Sequence, residues 1–195
     1  MRCYPASAII LGMKTIVGAV LLLASFSLTS CISMIHRSVD RGDIEGIRQE
    51  LQAGVSPEAT DYRNKTPLIM AAEQGKMDLV EFLVLEAGAN VNATALPEQG
   101  EVTALRYAIG NDDYQMVRFL INNGAEVNLA NSRGWTPIMT AARVGNRDIM
   151  ELLIENGADI RVRDNDGQTP LRVASNNGWT DIVVWLTLLL EQPQQ

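Results

Sequence analysis

One run limits the folds open to this chain more than any other: Trp135–Asp159, WTPIMTAARVGNRDIMELLIENGAD. Thr136 is placed as a helix N-cap, its hydroxyl able to accept from an amide two or three residues on. Pro137 stands at the first helical position, where a missing N–H loses no intrahelical bond. Ala141 and Ala142 make a narrow face that a second helix can approach closely. Gly145 and Gly157 fall where two short helices must stop, in the left-handed conformation that glycine adopts without a Cβ clash. Between them Ile149, Met150, Leu152 and Leu153 recur at helical spacing, with no strand alternation. Helices this short are not stable alone in water, so the unit needs neighbours.

The same words return as Thr66-Pro67-Leu68 with Ala71-Ala72, as Thr103-Ala104-Leu105 with Ala108, and as Thr169-Pro170-Leu171 with Ala174. Thr103, Thr136 and Thr169 are 33 residues apart, and Thr66 precedes Thr103 by 37. A helix–turn–helix period near 33 with T-P-L-x-x-A is the ankyrin signature. From about Ile32 to Leu190 the chain resembles the ankyrin-repeat family. The resemblance implies an all-α solenoid of about five helix–turn–helix repeats joined by β-hairpin loops, at about 32–60, 61–94, 98–130, 131–163 and 164–190.

The copies are unequal. The first lacks Thr-Pro but keeps Gly42, Leu51 and Ala53-Gly54-Val55, as a degenerate, more polar terminal cap would. The second carries one extra residue near Leu85–Ala87. An insertion, Ala95-Leu96-Pro97, precedes the third, which has Ala104 for Pro and Asp112 where the family prefers Gly. The last helix, with Val183-Val184-Trp185-Leu186 and Leu188-Leu189-Leu190, is apolar on several sides. It either covers the previous repeat or leaves an apolar patch at the solenoid's end.

The amino terminus differs in kind. Lys14 precedes a stretch, Thr15–Ile35, without Asp, Glu, Lys or Arg, whose centre Ile16–Ala24 has the length of a secretory-signal core. It closes on Leu28-Thr29-Ser30-Cys31, which looks like the lipobox of bacterial lipoproteins. That likeness implies a signal peptide over residues 1–30, with Met13 as the expected start, and lipid on Cys31 as the new amino terminus. A signal anchor is the alternative, since about twenty apolar residues also span a bilayer. In Gram-negative lipoproteins an aspartate after the cysteine marks inner-membrane retention. Ile32 stands there, so the expected location is the outer membrane, with residues 31–195 facing the periplasm.

Cys3 and Cys31 are the only cysteines, so the mature domain is expected to have no disulfide and to rest on helix stacking. Without Arg2 and Lys14 the 16 basic residues become 14 against 23 acidic ones, a formal charge of −9. That balance argues against nonspecific nucleic-acid binding, which needs many phosphate-neutralising cations. His36, the lone histidine, has no cysteine or second histidine with which to bind metal. The sequence has no P-loop, dinucleotide glycine fingerprint or nucleophile elbow. The expectation is a non-enzyme without metal, cofactor or small-molecule substrate.

Ankyrin arrays bind partners through the hairpin tips and the exposed side of each first helix. Carried onto this chain, the resemblance places Tyr62, Arg63, Lys65, the inserted loop, Ser132, Arg133, Trp135, Asn165, Asp166 and Gln168 at the tips. On the helices it places Glu73, Gln74, Gly110, Asn111, Arg143, Val144, Asn176 and Asn177, with Arg163 at a boundary. This face collects five basic residues (Arg63, Lys65, Arg133, Arg143, Arg163) against Glu73 and Asp166, on a domain of charge −9. Tyr62 and Trp135 stand among them, and Tyr, Trp and Arg are the types enriched at interface hot spots. The expected site is thus Tyr62, Arg63, Lys65, Arg133, Trp135, Arg143 and Arg163, facing a protein partner with an acidic patch. The expected role is an immunity protein that neutralises a toxin such as a secreted lipase. The alternatives are a scaffold for a resident envelope enzyme, for example in oxidative-stress defence, or direct binding of lipid or envelope polymer.

Overall fold

The computed structural model describes residues 34–95 and 101–191. The expected leader with Met13, the expected lipidation site Cys31, the inserted Leu96 and Pro97, and the tail from Gln192 lie outside the described residues.

Ten helices follow one another among the described residues: α1 (34–41), α2 (Ile44–Gln52), α3 (Pro67–Glu73), α4 (Met77–Leu85), α5 (Ala104–Gly110), α6 (Tyr114–Asn122), α7 (Pro137–Val144), α8 (Arg147–Glu155), α9 (Pro170–Asn176) and α10 (Thr180–Glu191). Each odd-numbered helix pairs with the next, giving five antiparallel hairpins. The first helices α3, α5, α7 and α9 stack in one layer, each also packing on its own second helix. Alanine makes this close approach feasible: Ala71, Ala108, Ala141 and Ala174 hold the same register position and are fully buried. So are Leu83, Leu120, Leu153 and Leu186 in the second layer. The chain is an all-α repeat solenoid. Its loops are tight hairpin turns, and antiparallel pairing of β type among the described residues is an isolated bridge, Ala95 to Val102.

The N-caps form as expected at Thr66, Thr103 and Thr169, whose hydroxyls accept from the Ile69, Arg106 and Arg172 amides at 3.4, 3.3 and 3.2 Å. Thr136 departs from expectation. Its side chain makes no cap bond, and its buried Oγ1 has no hydrogen-bond partner. The first helix is closed by a left-handed residue in every repeat: glycine at 42, 75, 145 and 178, but Asp112 (φ 62°) in the third. The Asp112 carboxylate accepts from Asn146 Nδ2 at 2.6 Å, tying the third repeat to the fourth. The extra residue of the second repeat widens the turn after α4. Ala89 N reaches back six residues to Leu83 O, where Ala125 and Ala158 reach back five.

At other seams a side chain reaches back to carbonyls of the preceding repeat. Lys76 Nζ donates to Val39 O and Asp40 O (2.8 and 2.6 Å), Asn111 Nδ2 to Ala72 O (3.0 Å), and Trp179 Nε1 to Arg143 O (3.1 Å). The Trp179 ring lies directly on Gly145, in the space a Cβ would need. The carboxyl-terminal end turns polar residues of its first helix to solvent. Arg172 and Ser175 are exposed where interior repeats bury Ile69 or Met139 and Ala72 or Ala142. Trp185 lies half-buried, with the Arg147 guanidinium 5.0 Å above its ring. Val184 (56% exposed) and Leu188 (57%) are left in solvent on the outer side of α10. No helix among the described residues is long and apolar enough to cross a membrane.

Candidate functional site

Three tips, those of the second, fourth and fifth repeats, are five-residue turns organised by an Asx side chain. Asp61 Oδ1 accepts from the amides of Arg63 and Lys65, both at 2.8 Å. Asn131 Oδ1 does the same for Arg133 and Trp135 (3.0 and 2.9 Å), and Asp164 Oδ1 for Asp166 and Gln168 (3.0 and 2.7 Å). Such local bonds fix the turn independently of the strand pairing it lacks. The third residue of each tip (Arg63, Arg133 or Asp166) stands in solvent, and the fifth (Lys65, Trp135 or Gln168) turns back toward its first helix. Adjacent tips are joined where Asn165 N donates to Arg133 O at 2.9 Å and Asn165 Nδ2 to Ser132 O at 3.0 Å.

The structure brings four of the expected cations to one exposed side. Tyr62 is 86% exposed, with the Arg63 guanidinium 5.1 Å from its ring. Arg133 and Arg143 are exposed, and among the described residues neither forms an ion pair. Arg163 is exposed and donates from Nη1 to Gly167 O (3.3 Å), which ties it to the fifth tip. Trp135 is half-buried and its Nε1 donates to Thr140 Oγ1 at 3.1 Å, so it walls the groove instead of projecting from it.

Lys65 does not belong with these cations. It is 3% exposed. Its Nζ donates to both Glu73 oxygens, at 2.6 Å to Oε1, and lies 5.2 Å from the centre of the Tyr107 ring. Burial alone would lower the ammonium's pKa. The hydrogen bonds to Glu73 and Tyr107 outweigh it and leave Lys65 above the ordinary lysine value. Glu73 is therefore spent on Lys65. Gln74, Asn111 and Asn177 are likewise structural: Gln74 Nε2 donates to Asp40 (2.8 Å), Asn111 to the second repeat's carbonyls, and Asn177 Nδ2 to Val173 O (2.8 Å).

Arg106 is a residue the sequence reading missed. It sits on α5 where Ile69 and Met139 are buried in the flanking repeats, half-buried itself, and its Nη1 donates to Glu101 O at 3.0 Å. Burial, and then the charge of Arg143, hold its pKa below the ordinary arginine value. The signal that could have found it was an arginine in a register otherwise apolar in interior repeats. The opposite side of the molecule is acidic, with Glu45, Glu81, Glu86, Asp148, Glu155 and Asp181 exposed on or beside the second helices. Among the described residues no group of three or more His, Cys, Asp or Glu is placed to hold a metal ion.

Stacked helix pairs that present turns and one helix layer to solvent define a repeat solenoid. The model for ankyrin repeats (3 copies) matches residues 35–131 and 105–193, and the chain belongs to the ankyrin-repeat family. It is 33% identical over 111 residues to the B-cell lymphoma 3 protein homolog of Mus musculus, covering 56% of this chain and 24% of that protein. It is 36% identical over 99 residues to the RelA-associated inhibitor of Mus musculus (49% of this chain, 12% of that protein). With potassium channel AKT1 of Arabidopsis thaliana it shares 35% over 82 residues (42% and 9%). The chain spans a quarter or less of the length of these relatives. The family is generally a non-enzymatic module for protein–protein interaction.

Proposed function

We propose that the chain is a lipid-anchored module of the bacterial envelope, held through Cys31 at the outer membrane and facing the periplasm, which binds an acidic surface of a protein partner. The observation that carries the binding mode is the segregation of charge. Arg63, Arg133, Arg143 and Arg163 are exposed together on the tip and first-helix side of a chain whose formal charge is −7. Such complementarity speeds and orients association more than it adds affinity. The anchor rests on the lipobox-like Leu28-Thr29-Ser30-Cys31 after an apolar core. Within this reading the role is that of an immunity protein that neutralises an incoming toxin such as a lipase. Tethering beside the bilayer suits it, and one relative is named as an inhibitor. The alternative is a scaffold for a resident envelope enzyme.

The test is capture from envelope extract by the tagged chain beside a Tyr62→Ala/Arg133→Ala/Arg143→Ala variant. A protein retained by the wild type and lost by the variant supports the surface. A toxin as that protein means immunity, and a constitutive envelope enzyme means scaffold. Equal retention by both chains rejects the surface, and capture of anionic vesicles instead of protein replaces it with lipid binding. Cys31→Ser is expected to abolish fatty acylation and release the chain from the membrane fraction. If it stays acylated, the lipobox assignment fails.

A further inference from the structure

Between the fourth and fifth repeats the concave side opens into a cleft of about 270 Å³, lined by Arg133, Trp135, Asp164, Asp166, Gln168 and Val173 among others. That is below the usual size of a small-molecule pocket and suits a single side chain. We infer that this cleft is a subsite for one cationic side chain of the protein partner, held against the Trp135 indole and by the Asp164 and Asp166 carboxylates. The inference rests on the reading that the tip and first-helix side is the binding surface.

The cleft differs in sign from the rest of that surface. It holds two carboxylates and one guanidinium, whereas the tips and helices around it expose Arg63, Arg143 and Arg163. Trp135 is fixed from two directions, by Nε1 to Thr140 Oγ1 (3.1 Å) and by its amide to Asn131 Oδ1 (2.9 Å). Its ring is thus ordered before a ligand arrives. A cation within about 6 Å of an indole face is attracted by the ring quadrupole. Val173, 3% exposed, forms an apolar floor. Asp164 spends Oδ1 on the turn amides of Asp166 and Gln168 and keeps Oδ2 for a ligand. Asp166 is exposed and, among the described residues, forms no ion pair. A carboxylate ligand would meet one attractive guanidinium and two repulsive carboxylates. A guanidinium or ammonium meets the reverse, with charge-assisted hydrogen bonds to both acids. The partner surface is therefore acidic with one basic anchor.

The experiment follows the indole N–H resonances of Trp135, Trp179 and Trp185 in the full-length protein, titrated with N-acetyl-arginine amide. N-acetyl-citrulline amide serves as the neutral isostere and N-acetyl-glutamate amide as the anion. Arginine is expected to move the Trp135 resonance saturably while the other two compounds leave it in place. Asp164→Asn/Asp166→Asn should weaken binding about tenfold. That variant keeps the tip, because Asn131 organises the fourth turn as Asp164 does the fifth, and unmoved Trp179 and Trp185 resonances report its folding. Arg133→Gln should tighten binding by removing the opposing charge. A Trp135 response to glutamate, an arginine response that survives the double neutralisation, or no response at Trp135 overturns the inference. Loss of the subsite while Arg133→Ala/Arg143→Ala still abolishes partner capture leaves the binding surface standing. Arginine binding at Trp135 with capture untouched by both sets of variants overturns the surface and the anchor together.

Discussion

Lys65 and Trp135 hold the same place in their repeats, one residue before the threonine that opens the first helix. Glu73 and Arg143 also correspond, each seven residues after that threonine. In the second repeat the two positions close on each other as a part-buried ion pair, with Tyr107 from the third repeat against its lysine. In the fourth repeat they stay open: Trp135 walls a cleft that Arg133 and Asp166 also line, and Arg143 faces solvent. In the fifth the two positions meet through a neutral bond, Asn176 Nδ2 donating to Gln168 Oε1 at 3.3 Å. One register thus serves cohesion in the second repeat and is left open to solvent in the fourth. Charge on the binding side of a solenoid is no measure of charge available to a partner, because neighbouring positions can neutralise it first.

The largest effect is expected at the seam that backs the open end. Gly145 has φ 89°, and the Trp179 ring fills the space where its Cβ would go. Gly145→Ala combines a left-handed conformation with overpacking and should destabilise the protein by about 3 kcal/mol. Urea denaturation measures it, and a loss below about 1 kcal/mol would mean that Trp179 swings away and the seam is soft. The closed end comes next. Glu73→Gln leaves the Lys65 ammonium buried without its counter-charge. Because the Glu73 side chain is 37% exposed, the cost should be about 2 kcal/mol, short of that for a fully buried pair. Lys65→Met should cost less, within about 1 kcal/mol of wild type at neutral pH, because the charge it leaves unpaired is on Glu73, whose 37% exposed side chain water can reach.

The same pair sets a pH dependence. The Lys65 pKa is raised above 10.5 on folding, so its stabilisation is complete below that value and is lost as pH climbs through the higher folded one. Tyr107, whose pKa is raised chiefly by burial, acts in the same direction. Wild-type stability should therefore fall more steeply above pH 10.5 than that of Lys65→Met. Parallel curves would show that the pair contributes nothing.

The fold was legible because its determinants are local. The threonine–proline openings, the buried alanines and the glycine stops each act within a few residues, and their period repeats them. The acidic residue in a glycine position, Asp112, was legible too, though not its bond to Asn146 one repeat on. The site was legible as a side of the molecule and not as a set of contacts. Lys65 counted as a binding cation because its partners lie eight residues away and in the next repeat. Arg106 was missed because its helix was read for its alanine and leucine. Its neighbour Arg143 is 37 residues further on. Pairing across the stack depends on side-chain direction, which a linear register does not encode.

Smaller effects separate the two ends on the surface and at the caps. Arg133→Ala and Arg143→Ala remove exposed side chains that form no ion pair among the described residues. Each should change stability by no more than about 0.5 kcal/mol while weakening partner binding about tenfold or more. A stability loss like that of Glu73→Gln would place these arginines in the structural class with Lys65.

The last contrast is between two threonines in one register. Thr103 Oγ1 accepts from the Arg106 amide at 3.3 Å, and Thr103→Ala should cost about 1 kcal/mol. Thr136 Oγ1 is buried with no hydrogen-bond partner, so its hydroxyl is desolvated without return. Thr136→Ala should therefore be neutral, with a slight gain the most the lost methyl contact allows, and Thr136→Val, which keeps the shape and removes the hydroxyl, should stabilise. Both are read from urea midpoints at constant slope. If Thr136→Ala instead costs as much as Thr103→Ala, the fourth repeat is capped like the third, and the two ends of the groove differ in their charges alone.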